Sequence, residues 1–329
     1  MKINLIQTDI QWADAKANRQ HAESIMRSME KADLYILPEM FSTGFATQPE
    51  GIAEEWTLGT CPSLEWMKGM AVEMDAAVAG SIAIRQEDGR YYNRFCFVRP
   101  DGECTFYDKH HLFTYGGEHH RYTAGEERVV AEFRGVRFLL QICYDLRFPV
   151  FARNRAAEPY DAIIYVASWP TPRVEAWLAL QKARAIENQC YVCAVNRVGT
   201  APSCQYSGGT LMTDPYGKVV AQCPMGEESA VSVEMDMEAL AAFREKFPVL
   251  EDADKKREEE DPSPALPCMG GSSHNCDSPG KQRKTPPRQP TVPLRQGGRG
   301  AKRRRGWIKQ TENGKRKGEN GKLRVLRLF

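Results

Sequence analysis

A cysteine stands where an apolar run gives way to a turn. Phe138-Leu-Leu-Gln-Ile-Cys143 reads as a strand, and the Tyr144-Asp-Leu-Arg147 that follows is polar and turn-prone. A thiol at the carboxyl end of a strand, leading into a helix, occupies the place from which open α/β sheets present reactive groups, so Cys143 is a candidate nucleophile. The competing reading, for one cysteine among 10, is a small apolar residue that fills the core. Two charged residues hold comparable positions: Glu39 ends Leu34-Tyr-Ile-Leu-Pro-Glu39, and Lys109 ends Phe106-Tyr-Asp-Lys109. Each can hold its charged head at a sheet edge shared with the thiol. A thiol, a carboxylate and an ammonium together offer what attack on a carbonyl requires: a nucleophile, a proton carrier and a charge opposite the developing oxyanion.

The other constellations carry less. Cys190-Tyr-Val-Cys193 is a single pair inside an apolar strand-like run and reads as core packing, not as a redox or metal motif. His110-His111 and His119-His120 are adjacent pairs, which on a strand would point to opposite faces, and no third ligand at an interpretable spacing completes a site; no metal is expected. Gly208-Gly209 lacks the GxxxxGK[ST] arrangement and following helix of a phosphate loop.

The elements that must position these residues follow from periodicity. Residues 2–10 read as a strand, 15–31 as a helix with Ala17, His21, Ile25 and Met29 nearly four apart, and 34–37 as a strand. The stretch 63–74 is helical in pattern, with Leu64, Met67 and Val72 facing inward, and strands at 76–84 and 91–98 flank the Glu87-Asp-Gly-Arg90 hairpin turn. Next come an extended segment ending near Lys109, a hairpin of 128–133 with 136–142 around Arg134-Gly135, and a helix near 147–158. A strand at 162–167, a helix at 177–187, a strand at 190–196, several strands over 207–235 and a short helix at 236–245 complete the pattern. Strands, crossover helices and tight hairpins in this mixture imply a layered α/β domain with mixed sheets covered by helices.

Composition divides the chain in two. The 42% apolar content suits an ordinary core, no run is long enough to span a membrane, and the first residues read as a strand rather than a secretory signal, so the cytoplasm is the expected location. Residues 262–329 hold 17 Lys and Arg against 3 Asp and Glu, whereas the preceding 261 residues hold 28 against 40. The division expected is a compact domain over 1–255 and a disordered, basic Pro/Gly-rich tail over 256–329, incidental or aberrant in origin. Only through that tail would nucleic acid or an acidic surface be a partner.

Leu37-Pro-Glu39-Met-Phe-Ser-Thr-Gly-Phe45, Tyr107-Asp-Lys109-His-His-Leu-Phe113 and Gln141-Ile-Cys143-Tyr-Asp-Leu-Arg-Phe148 stand in order with Gly117-Glu118, Ala167-Ser-Trp169-Pro, Ala183-Arg-Ala-Ile-Glu-Asn188 and Asn196-Arg-Val-Gly199. Together they resemble the glutamate, lysine, cysteine and supporting motifs of the carbon–nitrogen hydrolase, or nitrilase-like, superfamily, most closely its omega-amidases, over roughly residues 1–254. The tail has no counterpart in that pattern. The resemblance implies a four-layer αββα sandwich, assembled as a homodimer or larger, and a metal-free and cofactor-free amidase.

In that resemblance Glu39 takes the thiol proton as Cys143 attacks the amide and later returns a proton to the departing ammonia, while Lys109 lies beside the oxyanion. Glu118 matches a second glutamate that orients the lysine, Arg147 a group that receives the substrate's carboxylate, and Phe45, Tyr144 and Trp169 fall where pocket walls are expected. Read without the resemblance, Arg147 fits a salt bridge equally well, and Phe45 and Trp169 fit core positions. The substrate implied is a 2-oxo dicarboxylic acid monoamide, 2-oxoglutaramate above all, cleaved to 2-oxoglutarate and ammonia. The alternatives are an N-carbamoyl or other aliphatic amide hydrolase with the same three residues, and, from a different class, a noncatalytic scaffold whose basic tail binds nucleic acid.

Overall fold

The structure, a computed structural model, describes residues 1–252 together with 326–327. The expected boundary at 255 and the tail of 256–329, Leu326–Arg327 apart, lie outside the described residues. In chain order the elements are β1 (Lys2–Gln7), α1 (Ala15–Ser28), β2 (Leu34–Ile36), β3 (Glu54–Glu55), α2 (Pro62–Met74), β4 (Ala77–Arg85), β5 (Tyr91–Val98) and β6 (Cys104–Asp108). There follow β7 (Val130–Phe133), β8 (Val136–Ile142), α3 (Pro149–Ala152), β9 (Ala162–Ala167), α4 (Val174–Asn188) and β10 (Tyr191–Asn196). The chain continues through β11 (Val198–Ala201), β12 (Cys204–Ser207), β13 (Leu211–Thr213), β14 (Val219–Gln222), β15 (Ser229–Glu234), α5 (Met237–Lys246) and the two-residue β16 (Leu326–Arg327).

Two mixed sheets face each other. The first runs β16-β15-β1-β2-β4-β5-β6, with β3 beside β4; the second runs β14-β13-β10-β9-β8-β7. Each has a parallel centre, β1-β2-β4 in one and β8-β9-β10 in the other, flanked by antiparallel pairs. Central strands such as Ala-Ile-Ile-Tyr-Val-Ala of β9 are buried along their whole length, which is why they read as continuous apolar runs without alternation. One set of their side chains, including Leu5, Ile36, Phe97, Phe138, Ile164 and Val195, meets between the sheets. The opposite set packs against helices: Ile25, Leu64 and Met67 of α1 and α2 cover the first sheet, and Trp177 and Ala185 of α4 cover the second. The result is the α/β, four-layer αββα sandwich.

Local chemistry sets the helix ends. The Asp14 carboxylate accepts from Ala17 N at 2.9 Å to cap α1, and Pro62 opens α2, where its missing N–H costs nothing. The inward stripe of α2 is Leu64, Met67, Met70 and Ala71, whereas Val72, expected inside, lies one step further round the helix and is 63% exposed. The helix expected near 147–158 is also corrected. Only Pro149–Ala152 is α-helical, because Asn154 takes over the backbone beyond it, its side chain accepting from Arg155 N and Tyr160 N and donating to Tyr160 O and Asn188 O. Neither histidine pair lies on a strand, so their rings do not diverge: the centroids are 4.5 Å apart for His110 and His111 and 3.9 Å for His119 and His120.

Candidate active site

Glu39, Lys109 and Cys143 do not share one sheet edge. Glu39 and Lys109 follow β2 and β6 of the first sheet, while Cys143 follows β8 of the second, so they meet across the strand ends of the two facing sheets. Glu39 is fully buried. Its Oε1 accepts from Lys109 Nζ at 2.9 Å and Asn93 Nδ2 at 2.8 Å, and its Oε2 from the backbone N of Ser168 at 2.8 Å. Lys109, equally buried, also donates to both oxygens of Glu118, at 3.2 and 3.0 Å, with the Phe45 ring centroid 5.1 Å from Nζ. Glu118 in turn accepts from Phe113 N at 2.6 Å, which fixes the loop that carries it.

The electrostatics follow from this packing. Burial works against the charge on Lys109, but the carboxylates of Glu118 and Glu39 outweigh it and hold the ammonium well above its usual range. Burial pushes Glu118 up from its ordinary value, against the pull of Lys109. The Cys143 thiol is pushed well above the usual thiol range, first by burial and then by the negative charge of Glu39, with Lys109 opposing. The negative charge of Glu39 therefore acts directly on the thiol.

The backbone presents that thiol. Cys143 opens the 3₁₀ turn Cys143–Arg147 with a φ of +47°, a left-handed conformation that costs a non-glycine residue about 1–2 kcal/mol and persists only where surroundings enforce it. The sharp turn lifts the side chain off the strand end into a small cavity of about 50 Å³. A larger surface cleft, about 320 Å³, lies over Arg90, Phe106 and Asp108 but reaches neither the thiol nor the carboxylates. The cavity at Cys143 is therefore the candidate site.

Phe45, Tyr144 and Trp169 line it, together with Phe113 and Tyr206. Arg147 lines it too, its guanidinium 5.0 Å over the Trp169 ring, and among the described residues no carboxylate pairs with it. The salt bridge that competed for Arg147 is absent there. Arg173, which sequence reasoning missed, is a second such cation, stacked 5.2 Å from the Phe113 ring centroid. Asn93 and Ser168 were missed as well. The only signal for Asn93 was one amide amid aromatic residues in Tyr91-Tyr-Asn-Arg94; Ser168 lies within a recognised motif but acts through its backbone N–H. Asn188 and Asn196 fix backbone, as expected: Asn188 holds Asn154 N, and Asn196 holds Trp169 N at 2.7 Å and Gly208 O. Cys190 and Cys193 are wholly buried in the core. Among the described residues no group of three or more His, Cys, Asp or Glu side chains is placed to hold a metal ion.

Comparison with known proteins gives the family of the chain. The carbon–nitrogen hydrolase family pattern matches residues 2–245. The omega-amidase YafV of Yersinia enterocolitica is 44% identical over 256 residues, which cover 78% of this chain and 97% of the relative. A 2-oxoglutaramate amidase of Bacillus subtilis is 34% identical over 256 residues, with 77% and 97% covered. Among solved structures, a carbon–nitrogen hydrolase superfamily protein from Xanthomonas campestris, with an arsenic adduct in its active site, has a TM-score of 0.74 at 38% identity and covers 78% of this chain and 97% of its own.

Proposed function

The chain belongs to the carbon–nitrogen hydrolase family, and we propose that Cys143, Glu39 and Lys109 perform omega-amidase chemistry on 2-oxo dicarboxylic acid monoamides, 2-oxoglutaramate first among them. The observation that carries the reading is the thiol of Cys143 in a small cavity with Lys109, which Glu39 holds, and with Arg147, which no described carboxylate pairs, in the same wall.

Cys143 Sγ attacks the terminal amide carbon as Glu39 takes the thiol proton. The carbonyl oxygen becomes an oxyanion beside the Lys109 ammonium and the N–H of Tyr144, which lies at the start of a turn and has no acceptor within it. Glu39 passes its proton to the leaving nitrogen, the C–N bond breaks, and ammonia departs from a thioester. Glu39 then deprotonates water, which attacks the thioester carbonyl; the C–S bond breaks, and the proton returns to sulfur. Glu118 keeps Lys109 aimed through charge-assisted hydrogen bonds. The Arg147 guanidinium receives the substrate's carboxylate, and Phe45, Tyr144 and Trp169 shape a pocket for a short chain.

The reaction belongs in the cytoplasm, where a thiol nucleophile stays reduced; all eight cysteines among the described residues are free, and no described helix is long and apolar enough to cross a membrane. The working form is a homodimer. Ile186, Tyr216 and Phe247, at 53, 65 and 59% exposure, form an apolar patch beside Phe243 that a second copy would cover. Sedimentation velocity of the purified protein checks this, and a monomer at micromolar concentration would sink it. The activity test is ammonia release from 2-oxoglutaramate beside N-carbamoyl amino acids and simple aliphatic amides. Strong turnover of the first, abolished in Cys143→Ala, is expected; equal or preferred turnover of the carbamoyl compounds would overturn the substrate assignment.

A further inference from the structure

The cysteine's turn and the lysine's segment come from different sheets, so their reacting atoms keep register only if something ties one segment to the other. A single buried carboxylate does so. Asp145 is wholly excluded from solvent, and four donors converge on it from the two segments. Its Oδ2 accepts from Ile142 N at 2.9 Å and from the Tyr107 hydroxyl at 2.7 Å; its Oδ1 accepts from His111 N at 3.0 Å and His111 Nδ1 at 2.8 Å. The Tyr107 oxygen meanwhile accepts from His110 N at 3.1 Å, which leaves its own proton for Asp145. Ile142 and Asp145 bracket Cys143 in the chain, and Tyr107 and His111 bracket Lys109.

Ring contacts repeat the connection. The His111 ring stacks on Phe148, at the end of the cysteine's turn, with centroids 3.9 Å apart and planes within 9°, and His110 stacks on Phe151 at 4.3 Å. From the helical side, the buried Arg184 of α4 donates to Leu146 O at 2.6 Å and holds the turn's far edge. None of Tyr107, His111 or Asp145 lines the cavity, so none is offered as a group that touches substrate.

We infer that Asp145, with His111 and Tyr107, is a positioning clamp that sets Cys143 Sγ against Lys109 Nζ and enforces the left-handed turn at the nucleophile. The inference rests on the roles proposed for Cys143 and Lys109. Because all four partners are donors, the clamp requires an acceptor on both oxygens, which a carboxylate supplies and an amide of the same shape does not. Misplacement of reacting groups by about 1 Å can cost on the order of 10²-fold in rate.

The test is steady-state kinetics of Asp145→Asn, His111→Phe and His111→Asn in the full chain, with Cys143→Ala as reference and competent sites counted by mass spectrometry of the alkylated Cys143 peptide. Asp145→Asn should lower kcat per competent site by on the order of 10²-fold with KM within about threefold, since substrate binding does not pass through the clamp. His111→Phe, which keeps the stack but loses the donor, should lose about tenfold or more, and His111→Asn, whose amide can offer an N–H near the Nδ1 position, should recover most of it. The inference is overturned if Asp145→Asn keeps kcat per site within about threefold of the parent, or if the two His111 variants are equal. Should Asp145→Asn not fold, the His111 pair decides alone. An active Cys143→Ala would remove the catalytic reading and the clamp with it, whereas an inactive Cys143→Ala beside an unimpaired Asp145→Asn removes only the clamp.

Discussion

The two ends of the cavity are built on opposite plans. At the inner end Lys109 is locked between Glu39 and Glu118, all three wholly buried and every charge answered within hydrogen-bonding distance. At the outer end Arg147 and Arg173 lie half-buried against aromatic faces, and no described carboxylate answers either. Breaking a buried ion pair typically costs several kcal/mol, about 3–5, so the inner cluster resists rearrangement and keeps its reacting groups aligned. An unpaired guanidinium over an aromatic ring is a site that waits for an anion. The chemistry is therefore preassembled, while charge balance at the mouth is left for the substrate to complete.

The contrast is broken most severely from the inside. Glu39→Gln keeps the shape of the inner cluster but removes its proton carrier, and kcat should fall by about 10²–10⁴ with the protein still folded. Circular dichroism and a thermal melt beside the kinetics check this; a folded Glu39→Gln variant with more than about a tenth of parental kcat would remove Glu39 from its role. At the outer end the expected effect is smaller and of another kind. Arg147→Met should raise KM for an anionic amide by about 10- to 100-fold, the worth of a hydrogen-bonded charge, and leave kcat nearly unchanged. For a neutral aliphatic amide the same substitution should change little. Equal damage to both substrates would mean that Arg147 supports Trp169 instead of binding a carboxylate.

How much of this was legible in the sequence differs between the reacting residues and their partners for a physical reason. Glu39, Lys109 and Cys143 each terminate an apolar run, and a charged or nucleophilic residue at a strand end is visible in one dimension. Their partners are not. Asn93 reaches Glu39 from the middle of β5, and Ser168 does so through a backbone N–H, contacts that depend on the spacing of the two sheets and leave no local mark. Periodicity gave the long strands and helices but placed Val72 inside and extended a helix past Ala152, where the side chain of Asn154 competes for the backbone. The histidine pairs show the same limit. Read on a strand their rings diverge; in the loop of His110 and His111 and the 3₁₀ turn of His119 and His120 the rings adjoin, and His111 turns to Asp145.

The finest prediction separates charge from shape within the inner cluster. The thiolate, not the thiol, reacts with iodoacetamide, and the Cys143 thiol is held well above its ordinary pKa by burial and by Glu39, with Lys109 pulling the other way. Alkylation of the parent at Cys143 should therefore keep rising with pH past the ordinary thiol value near 9, without a plateau below it. Glu39→Gln removes a charge that disfavours the thiolate, so its profile should move to lower pH and alkylation near neutrality should quicken even as turnover collapses. Lys109→Met removes a charge that favours the thiolate, so its profile should move to higher pH and alkylation should slow. Opposite displacements are the signature of two charges acting on one sulfur; a general loosening of the site would expose Cys143 and quicken alkylation in both variants alike. If both profiles shift together, the inner cluster acts on the thiol through packing, and the proton route from Cys143 to Glu39 loses its electrostatic support.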